Sequence, residues 1–181
     1  LNPVYFLNQG YYDTGDYEKI TINGRRNSKF NLQTFSIAMW AMMPVTSSNY
    51  GNLWSFDNTS HVSPHYAQQI RVNGGGKLWV AVGTLSALSI NDAFNDGIWT
   101  HLVVEHQPSD TRVYVNNALA TSHTEAGTIT YYDQEVWIGR ANYSTTQPLH
   151  VQNVAFYDKF LTESEIDIHY KSFNKEIGFE E

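Results

Sequence analysis

Phe35-Ser36-Ile37-Ala38-Met39-Trp40-Ala41 decides the architecture. Every second residue from Phe35 is apolar, so Phe35, Ile37, Met39 and Ala41 share one face of an extended strand. The pattern recurs along the chain. Lys77-Leu78-Trp79-Val80-Ala81-Val82 puts Leu78, Val80 and Val82 on one side, and Thr111-Arg112-Val113-Tyr114-Val115-Asn116 does the same with Val113 and Val115. Further segments lie at 52–56, 66–72, 98–105, 135–138 and 151–157. Turn signals punctuate them: Asn23-Gly24, Asn73-Gly74-Gly75-Gly76, Asn95-Asp96-Gly97, Asn116-Asn117 and Ala126-Gly127. Many short strands with one apolar face imply an all-β, two-sheet antiparallel jelly-roll sandwich.

One segment departs from this period. In Leu161-Thr162-Glu163-Ser164-Glu165-Ile166, Thr162 is an N-cap and Glu165 stands three residues later, the spacing of a capping box. Leu161 and Ile166 can close a hydrophobic staple around it. A short C-terminal helix over 163–170 is therefore expected.

Composition narrows the function. The chain has 181 residues, no Cys, 11 Lys and Arg against 18 Asp and Glu, and a net charge of −7. That length suits one domain, here residues 1–181, with a core large enough to need no covalent staple. Without Cys there is neither a disulfide framework nor a thiolate metal site. The acidic balance and the lack of a basic run argue against nucleic acid. No apolar stretch approaches the roughly 20 residues of a membrane-spanning helix, so membrane insertion is not expected. The chain opens on Leu1 rather than Met and reads as a piece of a larger protein, with 171–181 as a linker or closing segment.

Four stretches, taken in order, resemble the concanavalin A-like jelly roll in its laminin G-like, pentraxin-like form. Phe35-Ser36-Ile37-Ala38-Met39-Trp40 is similar to the family's aromatic-Thr-Ile-x-x-Trp strand, and Gly97-Ile98-Trp99-Thr100-His101-Leu102-Val103-Val104 to its Trp-x-His-Val strand. Arg112-Val113-Tyr114-Val115-Asn116-Asn117 resembles a Leu-Tyr-Val-Asp-Gly hairpin with Asn-Asn in place of Asp-Gly. Val136-Trp137-Ile138-Gly139-Arg140, Val154-Ala155-Phe156-Tyr157 and the capped segment resemble the family's Ile-Gly-Arg strand, closing strand and terminal helix. The resemblance spans about residues 14–170. It implies a glycan-binding, lectin-like or cell-adhesion module of a secreted, cell-surface or virion protein. Within that fold, function resides in a site rather than in the architecture.

The face opposite the core is where a sugar site is expected. With Tyr66, Ile70 and Val72 inward, His65, Gln69 and Arg71 point the other way, and the same parity sends Trp79, Arg112 and Tyr114 outward. If these strands share one sheet, the six residues form a carbohydrate-binding platform. Aromatic faces pack on sugar C–H groups, and amide and guanidinium groups pair with hydroxyls. The bland alternative is that Trp79 and Tyr114 are covered and Arg112 is an edge charge. Tyrosine-bearing loops at 47–50, 131–133 and 142–144 are a secondary candidate.

Catalysis is the weaker expectation. A polysaccharide lyase on the same face would use Arg71 with Gln69 to neutralise a uronate and His65 or Tyr114 to move the proton. Glu165-Ile166-Asp167-Ile168-His169 mimics the Glu-x-Asp-x-Glu strand of laminarinase-type glycoside hydrolases, but His169 replaces the acid/base and the capping box makes the segment helical. A helix would line Glu165 and His169 along an exposed face. No catalytic residue is assigned unless the protein is a lyase.

No metal site is assigned either. His101 reads as structural in the Trp-x-His strand, and the other histidines show no close pair at metal spacing. The resemblance leaves a structural calcium open without assigning its ligands. Asn153 stands where sugar-cleaving relatives carry a calcium-binding Asp, and 91–97 lacks the spacing of a calcium loop. Asn58-Thr59-Ser60 and Asn142-Tyr143-Ser144 fit the N-glycosylation pattern and suit an extracellular setting.

Overall fold

The structure, a computed structural model, describes residues 5–7, 20–22, 30, 32–43, 51–58, 66–83, 87–124, 127–131, 134–138 and 150–176. Twelve strands and one helix follow in chain order: β1 (Tyr5–Leu7), β2 (Ile20–Ile22), β3 (Phe35–Met42), β4 (Gly51–Asn58), β5 (Tyr66–Asn73), β6 (Lys77–Val82), β7 (Leu88–Ile90), β8 (Thr100–Gln107), β9 (Asp110–Val115), β10 (Ala118–Thr124), β11 (Gln134–Ile138), β12 (His150–Tyr157) and α1 (Glu163–Glu176). A first sheet has the order β1-β12-β3-β8-β9-β10, and a second has the order β2-β11-β4-β5-β6-β7. Neighbouring strands pair antiparallel throughout both sheets. This is the expected sandwich.

Alternation builds the core between the sheets. Phe35, Ile37, Met39 and Ala41 of β3 are buried there with Leu102 and Val104 of β8, and they meet Trp54, Ile70, Val72, Leu78 and Val80 of the second sheet. Trp54 and Phe156 stack across the sandwich with ring centroids 5.7 Å apart. Polar side chains share this space, Gln68 among them. Gln68 accepts a bond from Trp54 Nε1 at 3.0 Å and donates to the Tyr131 hydroxyl at 3.0 Å, and that hydroxyl donates to the Leu32 carbonyl.

Two backbone devices set the register. Asn116 and Asn117 both have positive φ, +48° and +66°, which a tight turn between twisted antiparallel strands requires. Asn116 is further tied to β8, because its Oδ1 accepts from the His101 N–H at 2.9 Å. In β12 the register shifts between Gln152 and Ala155, around Asn153 at φ +51°. An extra residue there inverts side-chain parity, so that Val151 before it and Phe156 after it both reach the core.

Helix α1 covers the outward face of the first sheet. Leu161 and Ile166 join Ala38, Val103, Tyr114, Ala155 and Tyr157 in a second apolar cluster. The capping box forms as expected: Thr162 N–H donates to Glu165 Oε2 at 2.8 Å, and Glu165 N–H donates to Thr162 Oγ1 at 3.2 Å. The helix runs six residues past the expected end at 170, to Glu176. Residues 177–181 lie outside the described residues.

Candidate functional site

The six expected sugar-binding residues do not share a sheet. Gln69 and Arg71 lie on β5 and Trp79 on β6, in the second sheet, where Arg71 is directly opposite Trp79. Arg112 and Tyr114 lie on β9 in the first sheet, paired with β8 and β10. The chain passes from one sheet to the other between β7 and β8, a crossover that parity cannot reveal. The single platform is thereby corrected to two separate groups. His65 lies outside the described residues, as do the 47–50 and 142–144 loops.

The second-sheet group is compact. The Arg71 guanidinium sits 4.1 Å from the centroid of the Trp79 ring. Gln69 donates from Nε2 to Asn52 Oδ1 at 3.2 Å, and Asn52 pairs in register with Arg71. Gln69 is only 1% exposed, whereas Arg71 and Trp79 are half-buried. An indole, a guanidinium stacked on it and a buried amide pair thus line adjacent positions of one strand face. Asn52 was missed in the sequence; alternation in β4 registers the apolar Leu53, Trp54 and Phe56 and not the polar residues between and beside them.

The first-sheet group is engaged differently. Arg112 Nε donates to Asp110 Oδ2 at 2.7 Å, and its guanidinium lies 5.5 Å from the Phe160 ring. Tyr114 is buried against α1, the covered alternative. Beside it opens a groove of about 570 Å³ between the β9–β10 hairpin and the first turns of α1, lined by Tyr114, Asn117, Leu119, Glu163, Ile166 and Asp167. The lyase set is not assembled, because Arg71 and Tyr114 face outward from opposite sheets, which pack about 10 Å apart in such sandwiches.

Glu165-Ile166-Asp167-Ile168-His169 lies within α1. Glu165 caps the helix and pairs with Lys159, and Asp167 accepts from Asn117 Nδ2 at 3.0 Å. His169 is not exposed, contrary to expectation: its Nδ1 lies 2.8 Å from His101 Nε2, both rings are buried, and the His101 ring lies against Trp40 and Tyr170. Burial pushes His169 down to about 4, partly opposed by a hydrogen bond to the Asn153 backbone. Burial and the neighbouring His169 push His101 down to about 3. One ring donates and the other accepts across this contact. The pair thus fastens helix to sheet as neutral rings. His106, on the opposite face of β8, is also pushed down by burial, to about 4, and bonds through Nδ1 to Thr111 Oγ1 at 2.8 Å.

Glu105 was also missed. Its Oε1 accepts from the Leu161 N–H at 2.7 Å, fixing the residue that enters α1, and burial raises the carboxyl above its usual range. The signal would have been a carboxylate at an outward position of a strand covered by a helix.

For calcium, Asn153 Oδ1 is a buried oxygen with no hydrogen-bond partner among the described residues. A calcium ion takes six to eight oxygens. Among the described residues no three His, Asp or Glu side chains gather to hold a metal.

A family model described as the concanavalin A-like lectin/glucanases superfamily matches residues 13–167. The chain belongs to that superfamily. No curated protein matches this lectin-like domain in sequence. Among solved structures, it is similar to a Trypanosoma rangeli sialidase, 18% identical over 86% of this chain and 25% of that one, with a TM-score of 0.65. It is also similar to the ligand binding domain of botulinum neurotoxin serotype D in complex with N-acetylneuraminic acid, 13% identical over 94% of this chain and 45% of that one, TM-score 0.70. The receptor binding domain of botulinum neurotoxin type G matches at 14% identity over 93% and 42%, TM-score 0.62. The chain spans less than half of each of these proteins, and at such identities the likeness shows fold alone. Among the described residues, no helix is long and apolar enough to cross a membrane.

Proposed function

We propose that this lectin-like domain is a non-catalytic carbohydrate-binding module of a larger secreted, cell-surface or virion protein. It holds a sugar against the Arg71–Trp79 face. What carries the reading is the guanidinium 4.1 Å over the indole, next to the Gln69–Asn52 amide pair. Stacking fixes the guanidinium plane, so its N–H groups meet a hydroxyl pair or a carboxylate at little entropic loss. The indole adds an apolar face, the usual complement of a sugar ring. That similar folds occur in a sialidase and in a domain bound to N-acetylneuraminic acid supports a glycan as the ligand class.

The test is incubation of the intact chain with a panel of polysaccharides and cell walls, reading retention on the solid and release of soluble sugar. Retention without release is expected. Trp79→Ala and Arg71→Ala should each weaken it about tenfold, the scale of one lost aromatic or charged contact, while thermal unfolding shows each variant folded. Retention indifferent to both variants would refute the site. Release of reducing or unsaturated ends would replace the binding module with a polysaccharide-degrading enzyme. Neither retention nor release would favour an adhesion module that binds protein.

A further inference from the structure

We infer that the outer edge of β10 and the groove beside it receive an extended, basic segment of a partner protein. The segment pairs its backbone with β10 and lays a Lys or Arg side chain in the groove. This surface is on the first sheet and shares no residue with the Arg71–Trp79 face, so it stands independently of the glycan reading.

Among the described residues β10 is the last strand of its sheet, paired on one side only with β9. Ala118–Thr124 is exposed at every position but Thr121. Such an edge offers a row of backbone donors and acceptors to another strand, and proteins usually guard it with charges or proline. This one, Ala-Leu-Ala-Thr-Ser-His-Thr, has no Asp, Glu, Lys, Arg or Pro. The single register shift between Leu119 and Thr121 leaves Ser122 to Thr124 in regular pairing.

The groove says what the added strand should carry. Leu119 is opposite Tyr114 in register and stands on its face of the sheet, toward α1, 55% exposed. A strand added at the usual spacing of about 4.8 Å places the residue opposite Leu119 on that same face, over the groove. The groove has a mixed lining: exposed Leu119 beside the buried Tyr114 and Ile166, and the polar Asn117, Ser164, Glu163 and Asp167. Asp167 is already held by Asn117 and by Lys171 at 2.7 Å. Glu163 is exposed and has no ion pair among the described residues. A long basic side chain fits this mixed lining: its aliphatic stem lies on the exposed Leu119 and its cationic head at Glu163. A sugar could meet the carboxylates but not the edge, since it has no repeating amides to pair in register. A chain of net charge −7 also repels acidic segments.

The experiment uses the whole chain labelled with ¹⁵N and a capped heptapeptide, Thr-Val-Thr-Arg-Thr-Val-Thr, with a second version carrying glutamate in place of arginine. The arginine peptide should saturably shift the amides of 117–124 and 163–167 and slow hydrogen exchange in β10. The glutamate peptide should bind at least about tenfold more weakly, Glu163→Gln should weaken the arginine peptide roughly two- to fivefold, and Leu119→Lys should abolish binding. Trp79→Ala should leave it unchanged. The proposal is overturned by no saturable shift at millimolar peptide, by equal binding of both peptides, or by shifts in the groove without protection of β10. It is overturned too if β10 becomes protected without peptide as the sedimenting mass doubles, which would seat a second copy there. Loss of peptide binding in Trp79→Ala would place the peptide on the other sheet and equally refute it.

Discussion

Gln68 stands at an inward position of β5, where its neighbours at the same parity are apolar, and its amide serves both the Trp54 indole and the Tyr131 hydroxyl. A buried amide of this kind is favourable only while both partners are met. Replacing it with Leu would leave an indole N–H without its acceptor and remove the donor to the hydroxyl. A buried group so stranded costs about 1–3 kcal/mol. For a chain of this size each kcal/mol is about 2–4 °C in Tm, so Gln68→Leu should lower Tm by roughly 2–10 °C in a calorimetric scan. A Tm equal to the parent's would show that the network contributes nothing. Alternation identified the inward apolar residues of β5 but was silent on Gln68, because periodicity registers apolar side chains and not polar ones that find partners from distant strands. The Asn116-Asn117 turn was legible, since its two residues must adopt positive φ locally.

At the scale of elements, what was legible is what local chemistry decides. The start of α1 follows from the capping box and staple, all within Leu161 to Ile166. Its end does not: the contacts that dock the helix, Tyr170 stacked on Trp40 at 5.4 Å and His169 against His101, come from distant strands. Strands β1, β2, β7 and β10 escaped notice for a related reason. Three are only three residues long, and β10 has no buried face to impose a period. Sheet membership was equally hidden, and it is what separated Arg112 and Tyr114 from Trp79. The cap can be tested directly. Thr162→Ala removes the acceptor for Glu165 N–H and should destabilise by about 1 kcal/mol, read as a lower urea midpoint at unchanged slope. Thr162→Ser, which keeps the hydroxyl, should restore it. An unchanged midpoint in Thr162→Ala would mean that the Leu161–Ile166 contact alone sets the helix start.

Among the described residues, three buried histidines fold as neutral rings. Two join α1 to the first sheet and one lies on the inner face of β8, with values of about 3, 4 and 4 for His101, His169 and His106. In the unfolded chain each would titrate near 6.5. Between those values the unfolded state binds more protons than the folded one, so stability falls as pH falls. The contribution is fully present above pH 6.5 and is lost progressively toward pH 4. By pH 5 each histidine removes on the order of 1–2 kcal/mol. Glu105 opposes this over part of the window. Burial raises its folded pKa, so the folded state takes up that proton more readily on acidification, but it is one group against three. The urea midpoint should therefore drop continuously from pH 7 to pH 4.5. In His106→Gln the drop should be shallower by about a third, while α1 stays docked because His106 faces away from it. In the double variant His101→Gln, His169→Gln the residual slope should come mainly from His106. A midpoint that stays level or rises over this range would mean that the buried rings already carry a proton at neutral pH, and the neutral fastening of helix to sheet would be wrong.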